Sequence, residues 1–165
     1  MGRIVELLKR FAHVVLHDED GEELKVSLSK GADLVSIEEF ENKEDVKLST
    51  ELKGLLMYSD GLVLFGQQIL SLSEMEYFAS DNIVSFHAWG NGDFDCISVN
   101  QSEQEETIYF MSHSVDDLTP VHYSLFGWIK DVIAEIQQKG TLLHPYDFTE
   151  RNEEGIYKSI IQKEL

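Results

Sequence analysis

Cysteine and proline are scarce in this 165-residue chain, with one Cys and two Pro. A lone Cys96 cannot close an internal disulfide, which suits a reducing compartment. Long apolar runs are missing too. No stretch approaches the roughly 20 apolar residues of a membrane-spanning helix. The opening MGRIVELLKRFAHVVL is interrupted by Glu6, Lys9 and Arg10, so no signal peptide is expected and the chain reads as a soluble cytoplasmic protein. Met1-Gly2 does not start a myristoylation signal, because Glu6 stands where Ser or Thr is needed. Positive charge is the last scarcity: 13 Lys and Arg face 31 Asp and Glu, a formal net charge of −18. Such a surface repels phosphate backbones and anionic lipid, so no nucleic-acid and no membrane partner is expected. It attracts a basic protein instead, raising association rates by roughly 10 to 1000-fold at low salt. Acidity also serves solubility, and net charge alone does not separate the two roles.

What is present centres on Asn82 to Val99. Ile83-Val84-Ser85-Phe86-His87-Ala88 is dense in the β-branched and aromatic side chains that suit a pleated, half-buried surface. Trp89-Gly90-Asn91-Gly92-Asp93 supplies the positive-φ residues of a tight reversal, and Phe94 to Val99 forms a second run. Two such runs around a short Gly-Asn-Gly connection predict a β-hairpin, expected at the centre of the only sheet. One domain fits the length, and a chain of this size buries roughly 70% of its unfolded surface.

Ile4, Leu7, Leu8 and Phe11, continued by Val14 and Val15, predict a helix from about Arg3 to Leu16. Asp18 to Glu22 is a turn, since the ligand spacing of a calcium loop is absent. Leu24, Val26 and Leu28 alternate as a short edge strand, with a hairpin to Val14–Leu16 as the alternative. Ser36 and Glu39 stand at capping-box spacing in a short acidic segment, and Ser49 can cap a helix carrying Leu52, Leu55 and Leu56, stopped at Ser59-Asp60-Gly61. Leu62–Phe65 and Ile69–Leu70 read as strands around a Gly66–Gln68 turn, and Ser73 with Glu76 opens a short helix through Phe78. After the hairpin come an acidic loop to Glu106, a strand at Thr107–Met111 and a second loop from His113 to Pro120. From Ser124, the stripe Leu125, Phe126, Ile129, Val132, Ile133, Ile136 marks a long helix ended by Gly140. A helical tail with Ile156, Tyr157, Ile160 and Ile161 on one face closes the chain.

The order of these pieces resembles the SUKH superfamily of bacterial immunity proteins and fungal cell-wall-synthesis regulators. The resemblance rests on Ile37-Glu38-Glu39-Phe40-Glu41, Val46-Lys47-Leu48-Ser49 with Glu51-Leu52-Lys53, and Asp60-Gly61. It continues through Ile83 to Phe86, the Gly90-Asn91-Gly92-Asp93 turn, and the closing helix with Phe126 and Trp128. It is strongest over residues 35–136, with the first helix and the tail as additions to a single domain spanning 1–165. Ser49 and Asp60 depart from the Pro and Asn usual in the family, both mildly, since Ser caps helices and Asp tolerates turns. The resemblance implies an α+β fold: one mostly antiparallel sheet with a central hairpin and helices packed around it. It also implies a non-catalytic protein-binding module, often an immunity protein that neutralises a polymorphic toxin, in many cases a nuclease.

The residues add no catalytic constellation. Six histidines show no zinc spacing, and His13 with His17, four apart, lack a third ligand. Ser112-His113-Ser114 with Asp116 holds the residue types of a triad but reads as a polar loop. No metal or cofactor is expected. Under strict strand alternation Asp93 and Asp95 share one face, either a solvated sheet face or an acidic recognition patch. The expected partner is a basic toxin domain, steered by acidic residues and anchored by an aromatic. The contact residues expected are Trp89, Asn91, Asp93, Asp95, Asp116 and Asp117. The alternatives are a scaffold or regulator of an endogenous pathway such as cell-wall synthesis, and a small-ligand binder with a dispersed site.

Overall fold

The computed structural model describes residues 2–100, 106–114 and 118–143. Its first helix, α1 (Arg3–Phe11), buries Ile4, Val5, Leu7 and Leu8. It ends a turn and a half short of the expected Leu16, because Val14 and Val15 lead into strand β1 (Leu16–His17). β1 pairs with β2 (Glu23–Leu24), with Leu16 opposite Leu24, so the alternative hairpin forms as a second, two-stranded sheet. His13 and His17 therefore share no helix face. The turn from β1 to β2 closes on Asp18, whose carboxylate accepts from the backbone N–H of Asp20 and Glu22 at 2.9 and 2.8 Å.

β3 (Val26–Leu28) leads to α2 (Leu34–Glu44) and α3 (Thr50–Tyr58). The cap of α2 is Asp33, accepting from the Ser36 N–H at 2.7 Å, three residues before the capping box the sequence suggested. Ser49 caps α3 as expected, accepting from Leu52 N–H. Beyond α3, Asp60 accepts from Leu72 N–H at 2.7 Å, and Gly61 takes φ +80° where a Cβ would lie 3.0 Å from Ser71 N. Only glycine fits there.

β4 (Leu62–Leu64) and β5 (Gln67–Ile69) form a two-residue hairpin with Phe65 at φ 47° and Gly66 at φ 89°, one residue earlier than expected. Positive φ at both positions matches the twist of the flanking strands, and burial of Phe65 edge-on to Phe11 holds it there against its own preference. The helix expected from Ser73 does not form. Ser71 and Glu74 close a single turn, with Ser71 N–H donating to the Glu74 carboxylate at 3.0 Å, and β6 (Tyr77–Phe78) follows. Pairing of β6 with β7 outweighs the capping signal.

The central hairpin is β7 (Ile83–Ala88) and β8 (Phe94–Ser98), followed by β9 (Ile108–Met111) and β10 (Leu118–His122). The main sheet runs β10-β9-β8-β7-β5-β4-β3, with β6 beside β7, and every pairing is antiparallel. The fold is α+β, with the hairpin in the middle of the larger sheet rather than of an only sheet. β10 replaces part of the expected loop; Pro120 is tolerated because its missing N–H falls on an edge strand.

α4 (Leu125–Lys139) buries Trp128, Ile129, Val132, Ile133 and Ile136 and stops at Gly140, φ 72°. Its first turn is capped three times, by Ser124 on Gly127 N–H, Glu106 on Leu125 N–H and Glu51 on Phe126 N–H. Arg3 pairs with Glu51 and lies over the Phe126 ring, so the first turns of α1, α3 and α4 meet. The strands and these helices share one hydrophobic core. The expected tail helix lies outside the described residues, and among the described residues no helix is long and apolar enough to cross a membrane.

Candidate partner-binding site

The tip of the central hairpin is held by its own backbone. Trp89 N–H donates to Asp93 O at 3.1 Å, and Asn91 Oδ1 accepts from Asp93 N–H at 3.0 Å. Gly90 and Gly92 take φ 88° and 95°, which only glycine adopts without strain. The Asp93 side chain turns inward to 1% exposure. There it accepts from the His113 backbone N–H at 2.9 Å and pairs with His113 Nδ1 at 2.5 Å. The tip is thereby tied to the β9–β10 connection.

Next to the tip, β7 and β8 pair Ala88 with Phe94 and His87 with Asp95, then shift so that Ser85 faces Cys96 and Phe86 is the extra residue of a bulge. His87 and Asp95 are both buried. Asp95 Oδ2 lies 2.8 Å from His87 Nδ1, and Gln67 Oε1 lies 3.0 Å from His87 Nε2. A carboxylate only accepts, so Nδ1 carries a proton. The Gln67 amide can turn either its oxygen or its nitrogen to Nε2, which complements the ring in either protonation state. The His87 ring sits 4.9 Å from both Trp89 and Trp128.

The expected contact residues thus divide. Trp89, Asn91 and Asp93 come together at the tip, with Asn91 exposed and Trp89 half-buried against His87 and Phe110. Asp93 and Asp95 form neither a solvated face nor an exposed acidic patch. Asp93 belongs to the turn, where alternation does not apply, and each carboxylate is consumed by its own histidine. Asp116 and Asp117 lie outside the described residues. Sequence reasoning missed His113, Gln67 and His87. Counting outward from Asn91 on both strands would have placed His87 opposite Asp95.

His87 resembles the base of a His–Asp pair, but Gln67 occupies the nitrogen where a nucleophile would sit. The Cys96 thiol is pushed far up by burial and by the negative charge of Asp95, which keeps it protonated and unreactive. Among the described residues no three His, Cys, Asp or Glu gather as a metal site.

A separate cleft of about 460 Å³ opens where α2 meets the Asp45–Lys47 turn and Asn100, past the far end of β8 from the hairpin tip. Its lining is almost wholly polar, with Glu41 taken by Lys53 at 3.5 Å and by Leu48 N–H. Cofactor pockets are mostly apolar, so this cleft does not resemble one.

Curated proteins give no match to the chain. The SMI1/KNR4 family (SUKH-1) matches residues 31–131, from the segment before α2 to the second turn of α4. That is more than half of the chain, and it takes in the Asp60-Gly61 turn and the whole central hairpin. The chain belongs to the SMI1/KNR4 family (SUKH-1), whose members are protein-interaction modules of the toxin-immunity or SMI1/KNR4-like kind.

Proposed function

We propose that this protein acts in the cytoplasm as an immunity protein, binding and neutralising a basic toxin domain of the kind that cleaves nucleic acid, without catalysis of its own. Family membership carries the reading, and the net charge of −18 supports it. The acidic surface steers the partner, while the hairpin tip supplies fixed contacts through Trp89 and Asn91. Asp93 works from beneath, holding the tip in one shape, and the neighbouring Asp116 and Asp117 add charge to the same connection. Pre-organisation of this sort lowers the ordering cost of binding. The single domain of residues 1–165 binds as a unit.

The test is capture of partners from the lysate of the source organism at low salt, with elution by a salt gradient. A basic toxin whose activity is blocked on binding, and whose association slows as salt rises, is the expected result. Retention of a cell-wall-synthesis complex instead would replace neutralisation by the regulator reading. Asn91→Ala with Trp89→Ala should lower affinity at least tenfold, as loss of an aromatic anchor does. An unchanged complex would move the contact surface away from the tip.

A further inference from the structure

The helix-facing side of the sheet is apolar around one polar row. Gln67 on β5, His87 on β7 and Asp95 on β8 stand on three neighbouring strands, linked at 3.0 and 2.8 Å, among Val84, Phe86, Ile97 and Phe110. The row lies immediately after the Phe86 bulge, where β7 resets its register against β8. A bulge that slips by one residue turns every following side chain to the other face. Here that slip would take His87 away from Asp95 and Gln67, and would swing Trp89, two residues on, away from Phe110. Inside an apolar core the polar atoms of the row then lose their partners, and each unsatisfied group disfavours the slipped register.

We infer that the Gln67–His87–Asp95 row is a register lock that positions Trp89 for partner contact. Its work is specification rather than stability, because well-packed apolar side chains of similar volume often replace a buried ionic pair with no loss of stability or with a gain. His87 is accordingly a positioning residue that acts through Trp89. The contact half of this inference rests on the proposed function; the register half does not.

The test compares wild type with the triple variant Gln67→Met, His87→Leu, Asp95→Leu and with Asp95→Asn, which keeps an oxygen for His87 Nδ1–H. Indole N–H resonances of the full chain are read by NMR, with Trp128→Phe to assign Trp89, alongside thermal unfolding. The expected outcome for the triple variant is a melting temperature at or above wild type with a broadened or doubled Trp89 signal. Asp95→Asn should keep the single narrow signal of wild type. A triple variant with a single narrow Trp89 signal, at whatever shift the loss of the His87 ring gives it, would overturn the lock, as would Asp95→Asn behaving like the triple. If the triple variant does not fold, Gln67→Met alone, which cuts one link, is read by the Trp89 signal only, a broadened or doubled signal supporting the lock and a single narrow one overturning it. Against a captured partner, the triple variant should dissociate about tenfold faster with little change in association rate, as contact geometry acts mainly on release. Heterogeneity of Trp89 with unchanged dissociation would reject the tip as the contact surface and leave the lock standing.

Discussion

The central hairpin carries two His–Asp pairs, and they live in different media. His87–Asp95 is closed in among Trp89, Trp128 and the strands, with the two side chains 0% and 2% exposed. In His113–Asp93 the carboxylate is as deeply buried, but 55% of the His113 side chain meets water. The chemistry is the same and the dielectric is not. Removing one member of the inner pair strands a polar group in a low-dielectric core, whereas removing the outer histidine lets water take its place. The inner pair fixes how two strands meet; the outer one fastens a loop to a turn.

The comparison is broken most directly at its inner member. Asp95→Ala should lose about 3–5 kcal/mol of unfolding free energy, because it leaves His87 buried with an unmet Nδ1–H. Urea unfolding at neutral pH measures it, and a loss near that of a surface mutation would mean water reaches His87. Asp93→Ala comes next. It abandons the His113 backbone N–H as well as the ring, for about 1–3 kcal/mol, and should speed amide exchange at the tip. His113→Ala, which leaves the backbone bond to Asp93 in place, should cost about 0–1 kcal/mol. Its effect should shrink with added salt, and the inner pair's should not. A salt-insensitive His113 effect would make the two pairs alike.

The smallest effect sharpens what burial does to a carboxylate with no histidine. Burial pushes Glu106 above its ordinary 4.5, while Leu125 N–H and Ser49 pull it back and Glu51 adds to the push. A raised native value means that the folded chain holds its proton longer than the unfolded chain does. Between the two values stability therefore falls as pH rises. Glu106→Gln should flatten that slope while still capping Leu125. Thermal unfolding from pH 4.5 upward should show the variant gaining on wild type as pH rises. A parallel pair of curves would mean that Glu106 titrates normally.

Much of this architecture was legible where local chemistry and tertiary pairing agree. Gly90-Asn91-Gly92 between two β-rich runs announced the hairpin, and Ser49, Ser124 and Gly140 marked helix ends that the structure keeps. The misses lie where a partner strand decides. Tyr77 and Phe78 were read as helical because nothing in their own segment shows that β7 offers a free edge. The loop expected from His113 to Pro120 overlaps β10 because edge position, which tolerates Pro120, is a property of the sheet. Phe65 at positive φ runs against its propensity and is paid for by burial. At the site, alternation was applied within one strand, to Asp93 and Asp95, when the informative relation ran across the hairpin to His87. The Phe86 bulge that brings the pair into line left no mark in the sequence.

The strand order bears on how the chain reaches this structure. The main sheet is a meander: β3-β4-β5 and β7-β8-β9-β10 each follow chain order, so most pairings join neighbours in sequence. Such local pairings close small loops and favour rapid folding. Two pairings depart from this: β5 on β7 passes over the short β6, and β3 on β4 waits for the two intervening helices α2 and α3. The hairpin that carries the tip would then form early, and the edge built across α2 and α3 late. Substitutions at the base of the tip should slow refolding, while those around β3 should chiefly hasten unfolding. The segment proposed to meet the partner would also set the pace at which the protein becomes able to meet it.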